Sequence, residues 1–171
     1  MLDLGAGDGR NALFLARRGF AVTAVDAAPL ALETLDAAAA SEGLIVETEL
    51  ADLASYEVTR SYDNVVSTLT LHFLPQQAAV SLMRGLRKAT LAGGINLISL
   101  FTRDGPVFER ANGRGFWLAP GELAHGYRDW QVVAGRRRVI TTRLTDDAGT
   151  PYRQPVDELL ARKPTDDAAA E

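Results

Sequence analysis

The chain has 171 residues, 47% hydrophobic and 23% charged, a balance that excludes collagen-like, disordered and coiled-coil proteins. It holds no cysteine, which removes a disulfide scaffold, a thiolate zinc site, an iron–sulfur cluster and a cysteine nucleophile together. Lys and Arg number 18 against 22 Asp and Glu, a net charge of −4, and no apolar run approaches the ~20 residues of a membrane helix, so neither a phosphate backbone nor a bilayer is the expected partner.

Met1-Leu2-Asp3-Leu4 reads as a strand already in progress and runs straight into Gly5-Ala6-Gly7-Asp8-Gly9. Apolar Leu13, Phe14 and Ala16 with a glycine stop predict a helix over 10–19. The β-rich run 20–25 predicts a strand that stops at Asp26. Pro29 opens, and Gly43 closes, a helix over 29–41. Residues 44–50 alternate apolar and acidic, which fits a half-exposed strand. A strand over 62–69 follows, then a helix over 76–91 broken by Gly93-Gly94, then a buried strand over 95–101. Residues 102–115 read as a loop rich in Gly, Arg and Asn. A helix over 121–127 leads into a long strand over 130–144. The turn Asp146-Asp147-Ala148-Gly149 then returns the chain as a strand over 154–161. The polar, alanine-rich end predicts a disordered tail at 164–171 behind a single domain at 1–163.

Alternating strands and helices predict an α/β fold: a Rossmann-like open, mostly parallel sheet with right-handed crossovers and helices on both faces, finished by a C-terminal antiparallel hairpin. Within it, the glycines at 5, 7 and 9 stand between a strand and a helix, where the backbone turns sharply and a ligand can touch the main chain. Asp26 ends the second strand, where a carboxylate can accept both hydroxyls of a ribose, and Asp52 follows the third at the same edge. Three such features in register point to a nucleoside-containing ligand. The spacing is G-x-G-x-G, and Arg10 stands directly after its last glycine, so the G-x-G-x-x-G of nicotinamide binding is incomplete; a P-loop is excluded because G-K-[ST] is absent.

The pattern apolar-Asp-apolar-G-x-G-x-G resembles S-adenosylmethionine-dependent methyltransferases of the class I fold. More specifically, the run Leu2 to Asn11, with Leu15-Ala16 and Gly19 to Asp26, is similar to the tellurite-resistance (TehB-like) methyltransferases. So are Val66-Ser67-Thr68 with Phe73-Leu74, Gly93 to Ile98, Gly121-Glu122-Leu123 with Tyr127 and Trp130, and Leu160 to Lys163. The resemblance implies methyl transfer from S-adenosylmethionine, leaving S-adenosylhomocysteine, in a cytoplasmic monomer or homodimer. It implies that Asp3, Gly5, Ala6, Gly7, Gly9, Arg10 and Asn11 hold the methionine part. Asp26 with Ala27 would take the ribose, Asp52 and Leu53 the adenine, and Ser67 and Thr68 the sulfonium end. Ala6 stands where many members have cysteine. Members also carry a strand and helices before this point, a segment that lids the cofactor, and the chain is expected to lack it.

Methyl transfer from a sulfonium is an in-line displacement on an activated carbon, so positioning and exclusion of water supply most of the rate. An oxyanion such as tellurite or selenite arrives already nucleophilic. His72, shortly after the fourth strand, is the candidate donor or base. His125 and Arg128 on the G-E-L helix, with Arg103 and Arg114, are candidate anion holders, and Phe116 and Trp117 candidate pocket walls. Arg136-Arg137-Arg138 falls in a strand and reads as a solvated edge. No metal site is expected. The alternatives are a non-catalytic nucleoside-binding domain and a nicotinamide-dependent oxidoreductase.

Overall fold

The computed structural model describes residues 1–165. Strands β1 (Leu2–Leu4), β2 (Val22–Asp26), β3 (Val46–Leu50), β4 (Tyr62–Thr68), β5 (Thr90–Phe101), β6 (Gln131–Thr145) and β7 (Pro151–Arg162) form one sheet in the order β3-β2-β1-β4-β5-β7-β6. The first five strands run parallel, and β7 pairs antiparallel with both β5 and β6. The connection leaves β1 for β2 on one side and arrives at β4 on the other. That reversal makes the carboxyl end of β1 the switch point, where open α/β sheets bind ligands.

Strand parity sorts the core into two faces. Leu2, Leu4, Val25, Val65, Ile98 and Leu100 pack with Leu82 and Leu86 of helix α3 (Gln76–Ala89). On the other face Val22 and Ala24 pack with Leu13 of α1 (Arg10–Ala16) and with Leu32 and Leu35 of α2 (Pro29–Ser41). Phe101 and Val156 meet Val107 of α4 (Pro106–Ala111), and Leu123 of α5 (Glu122–His125) joins the first face. Helices therefore cover both faces, as the alternation of the sequence predicts.

The larger departures from that reading each have a local reason. Helix α1 ends at Ala16 because the chain turns over Gly19 at φ 83°. Helix α3 stops at Ala89, and β5 begins at once and runs through Gly93-Gly94. The pairing of β4 with β5 is irregular between Tyr62 and Asn64, and a Cβ on Gly94 would collide with the Asp63 carbonyl, so that glycine admits a bulge rather than a break. The stretch 102–115 is not all loop, since α4 lies within it. Strand β7 starts at Pro151 and contains Pro155, which sits just beyond Val156, the last residue to pair with β5. There Thr102 N–H still donates to the Pro155 carbonyl at 3.1 Å, and the Gln154 side-chain amide donates to the Thr102 carbonyl at 2.8 Å, so the missing proline N–H leaves that carbonyl satisfied.

Lys163 ties the end of β7 to α3. Its Nζ donates to the carbonyls of Arg87, Lys88 and Thr90 at 3.1, 3.4 and 2.6 Å, placing a cation on the C-terminal end of the helix. Lys163→Met is expected to lower stability by about 1–2 kcal/mol. Thermal unfolding followed by circular dichroism will show a midpoint a few degrees lower. The tail reading for 166–171 falls outside the described residues.

Candidate functional site

At the switch point lies an open cavity of about 350 Å³. Gly5 from the turn after β1, Asp26 and Ala27 from the end of β2, and Asp52 and Leu53 after β3 line one side. Thr68, Leu69, Thr70, Phe73 and Leu74 at and after β4 line the other. The structure thus brings together Gly5, Asp26, Ala27, Asp52, Leu53 and Thr68 from distant parts of the sequence.

The glycine turn is held by its own backbone. Gly5 and Ala6 N–H both donate to the Val25 carbonyl, at 2.8 and 3.1 Å, and Gly9 N–H donates to Ala6. Gly7 N–H donates to Oδ2 of Asp26 at 2.8 Å, while Oδ1 accepts from Ala28 at 2.9 Å. Asp26 is therefore both a wall of the cavity and the clasp of the turn. Gly5, Gly7 and Gly9 have φ of 74°, 55° and 86°, a region that favours glycine. Asn11 Nδ2 donates to Thr68 Oγ1 at 2.9 Å, fixing the start of α1 to the end of β4. Arg10 is exposed on the first turn of α1.

Asp3 is fully buried, in register with Ala24 and Val66, and neither carboxylate oxygen has a hydrogen-bond partner among the described residues. Burial pushes its pKa up to about 7, with Ala12 N–H and the Asn11 amide pulling weakly the other way. The native state then holds its proton more tightly than the unfolded chain does. The contribution of Asp3 to stability is expected to be greatest below about pH 4, to fall as pH rises towards about 7, and to be level above. Asp3→Asn should remove this slope and raise the melting temperature of the ligand-free protein at pH 8; thermal melts of both proteins across that range provide the check. Ser67 is buried on the opposite face from Asp3 and its hydroxyl has no partner among the described residues.

Sequence reading did not single out Leu69, Thr70, Phe73 or Leu74 for the cavity wall. The signal available was position, since they follow β4 at the carboxyl edge of the sheet. Leu69 has φ 55°, unusual for leucine, and this turn lets Thr70 Oγ1 donate to the Gly5 carbonyl at 3.3 Å.

His72 lies in a 3₁₀ turn (Leu71–Phe73), stacked on Phe101 with ring centroids 4.0 Å apart. It is buried, both ring nitrogens lack partners among the described residues, and desolvation lowers its pKa to about 3. As it stands the imidazole is neutral and a poor proton acceptor at pH 7. His125 and Arg128 meet each other at 3.5 Å on the exposed side of α5, and neither lines this cavity. Arg103 is exposed. Phe116 is core, and Arg114 and Trp117 border a neighbouring hollow. Arg136 and Arg138 pair with Glu158, and Arg137 with Asp104, an edge of alternating ion pairs.

A family model described as tellurite resistance protein TehB matches residues 1–154. A Haemophilus influenzae protein named "Probable S-adenosyl-L-methionine-dependent methyltransferase TehB" is 31% identical over 165 residues, covering 95% of this chain and 57% of that protein. Hemagglutinin 1 of Eikenella corrodens is 32% identical over 165 residues, covering 95% and 54%. The crystal structure of TehB from Haemophilus influenzae superimposes with a TM-score of 0.84 at 28% identity, covering 95% of this chain and 57% of that one. The chain spans little more than half the length of these relatives.

Proposed function

The chain belongs to the TehB tellurite-resistance protein family and has the class I methyltransferase fold, and from that premise we propose that it binds S-adenosylmethionine in the switch-point cavity and transfers the methyl group to a small-molecule acceptor. One observation carries the reading: the cavity is acidic and its glycine turn offers no anion cradle. Asp26 and Asp52 line it, no basic side chain among the described residues does, and the N–H groups of Gly5, Ala6, Gly7 and Gly9 are all engaged within the protein. A dinucleotide would bring a pyrophosphate to two carboxylates with no compensating cation. S-adenosylmethionine brings ribose hydroxyls, an ammonium and a sulfonium instead.

The residues present fit it. Asp26 would accept from the ribose hydroxyls, Leu53 would pack against adenine beside Asp52, and the unpartnered Asp3 carboxyl lies two residues before Gly5, suited to attract an ammonium. The bound cofactor supplies a methyl group already activated on sulfur. The protein's task is then to orient the acceptor and exclude water. Thr68, its hydroxyl oxygen accepting from Asn11, keeps its own proton to donate into the cavity. An acceptor that arrives as an oxyanion, tellurite or selenite, suits a site whose one nearby imidazole is neutral and buried, and the family's description favours it. No helix among the described residues is long and apolar enough to cross a membrane. The same reading makes the protein a cytoplasmic monomer or homodimer acting on a small molecule.

Calorimetric titration tests the proposal. S-adenosylmethionine and S-adenosylhomocysteine should give saturable heat and NAD none. The reverse pattern would overturn it. Volatile methylated product from selenite or tellurite would separate turnover from binding alone.

A further inference from the structure

On the far side of the His72 turn is a second cavity, of about 340 Å³, that shares Phe73 with the first. Its walls are aromatic and aliphatic: Phe73, Trp117, Val107 and Leu144. Its rim carries two cations, Arg110 and Arg114, and no carboxylate among the described residues lines it. The cofactor cavity is the opposite, with two carboxylates and no cation among the described residues. The two hollows are therefore complementary in charge and adjoin across a single phenylalanine ring.

The aromatic wall is prearranged. The Trp117 indole N–H donates to the Arg114 carbonyl at 2.7 Å, and Phe108 meets the indole edge-on at 5.4 Å, so the ring is held as a fixed plate. The loop that carries it can lie against the His72 turn because Gly115, at φ 107°, has no Cβ to strike the His72 carbonyl. Phe73, by contrast, is 71% exposed, its ring tilted against that of His72 at 4.2 Å. Arg114 makes only one side-chain hydrogen bond among the described residues, from Nε to the Ala111 carbonyl at 3.4 Å, which leaves its terminal nitrogens free of such bonds. Arg110 reaches the Tyr152 hydroxyl at 3.3 Å and lies 3.7 Å from the fully exposed Asp147, a partner that water can replace at little cost.

We infer that this second cavity binds a flat aromatic anion, its ring between Phe73 and Trp117 and its charge, a carboxylate or an ionised ring hydroxyl, against Arg110 and Arg114. Apolar walls with a few placed polar groups are the usual composition of a small-molecule site. Guanidinium groups bind carboxylates and oxyanions in charge-assisted pairs. The inference rests on the methyl-transfer reading only for the ring's role as an acceptor beside the cofactor, not for its binding. It extends that reading from inorganic oxyanions to aromatic ones.

The test uses the whole chain and the probe 2-naphthoate. The protein has two tryptophans, so its ¹H–¹⁵N spectrum holds two indole signals, and Trp117→Phe assigns them. The Trp117 signal should shift saturably with 2-naphthoate while that of the core residue Trp130 stays. The neutral 2-naphthylmethanol should bind about tenfold more weakly, as should 2-naphthoate to the Arg110→Ala/Arg114→Ala variant, the loss expected for one charge-assisted contact. Both arginines are exposed, so that variant should fold, and its affinity for S-adenosylhomocysteine should not change. No saturable shift, or equal affinity for the neutral ring or for the variant, would overturn the inference. Titrating S-adenosylhomocysteine into the same sample keeps the two readings apart. If it binds and 2-naphthoate does not, only the second cavity is wrongly read; if 2-naphthoate alone binds, the aromatic-anion site stands and its acceptor role falls.

Discussion

Gly5→Ala is expected to lower thermal stability markedly and to leave S-adenosylhomocysteine binding undetectable by calorimetry. Two effects add at this position. The backbone has φ 74°, which costs an alanine about 1 kcal/mol. An added Cβ would also lie inside the contact distance of the Thr70 side chain, at Cβ, Oγ1 and Cγ2 alike. Thr70 cannot easily retreat, because it is buried and its hydroxyl bonds the Gly5 carbonyl. Overpacking of this kind costs about 1–3 kcal/mol more, and relieving it means moving the far wall of the cofactor cavity. Gly7→Ala is the internal control. Its φ is 55°, yet nothing lies within 4 Å of the added methyl in the ligand-free protein. It should lose only the conformational share of stability, about 1 kcal/mol. Equal melting temperatures for the two variants would show that the Gly5–Thr70 approach is unimportant.

Asp26→Ala should weaken S-adenosylhomocysteine binding by at least about a hundredfold, since hydrogen bonds to a charged group are worth about 1.5–3 kcal/mol each and two ribose hydroxyls would lose theirs. The residue does a second job that sharpens the test. Its two oxygens already accept from Gly7 N–H and Ala28 N–H. Asparagine can offer an oxygen to only one of those donors, and its NH₂ group must then face the other. Asp26→Asn should therefore bind hardly better than Asp26→Ala, although it is nearly the same size. Recovery of most of the affinity in the asparagine variant, measured by the same titration, would argue that the clasp on the turn does not matter.

The parts of this molecule that the sequence makes legible are those where one residue type does one local job. Glycine at positive φ, proline at the start of α2 and aspartate at a strand end all act locally, so β1 to β4 and one side of the cofactor cavity can be read directly. The rest depends on contacts between distant residues. Helix α4 is hidden because Gly105-Pro106 and Asn112-Gly113 bracket only six residues, and its stability comes from Val107 packing on Phe101 and Val156. Gly94 looks like a break and is a bulge, because what it must avoid is a carbonyl thirty-one residues earlier in the chain. For the site, nothing local to Thr70 or Phe73 announces a place on the cavity wall. Their place on the wall comes from the turn at Leu69, whose left-handed backbone nothing in the local composition announces. His125 and Arg128 show the converse. Their chemistry is suggestive, but α5 sits beside β7, away from the switch point.

The last strand has a bearing on how the protein behaves in a crowded solution. β6 runs for fifteen residues at the edge of the sheet with no strand on its outer side among the described residues, and Val132, Val133, Val139 and Leu144 are each more than two-fifths exposed along it. Such a margin is a template on which a stray extended chain could lengthen the sheet. Midway along it, Arg136 and Arg138 reach Glu158 while Arg137 reaches Asp104 and Asp157. Any strand laid alongside would have to strip water from three guanidinium groups. The basic run thus makes the outer edge of the sheet a costly place for a stray strand to add.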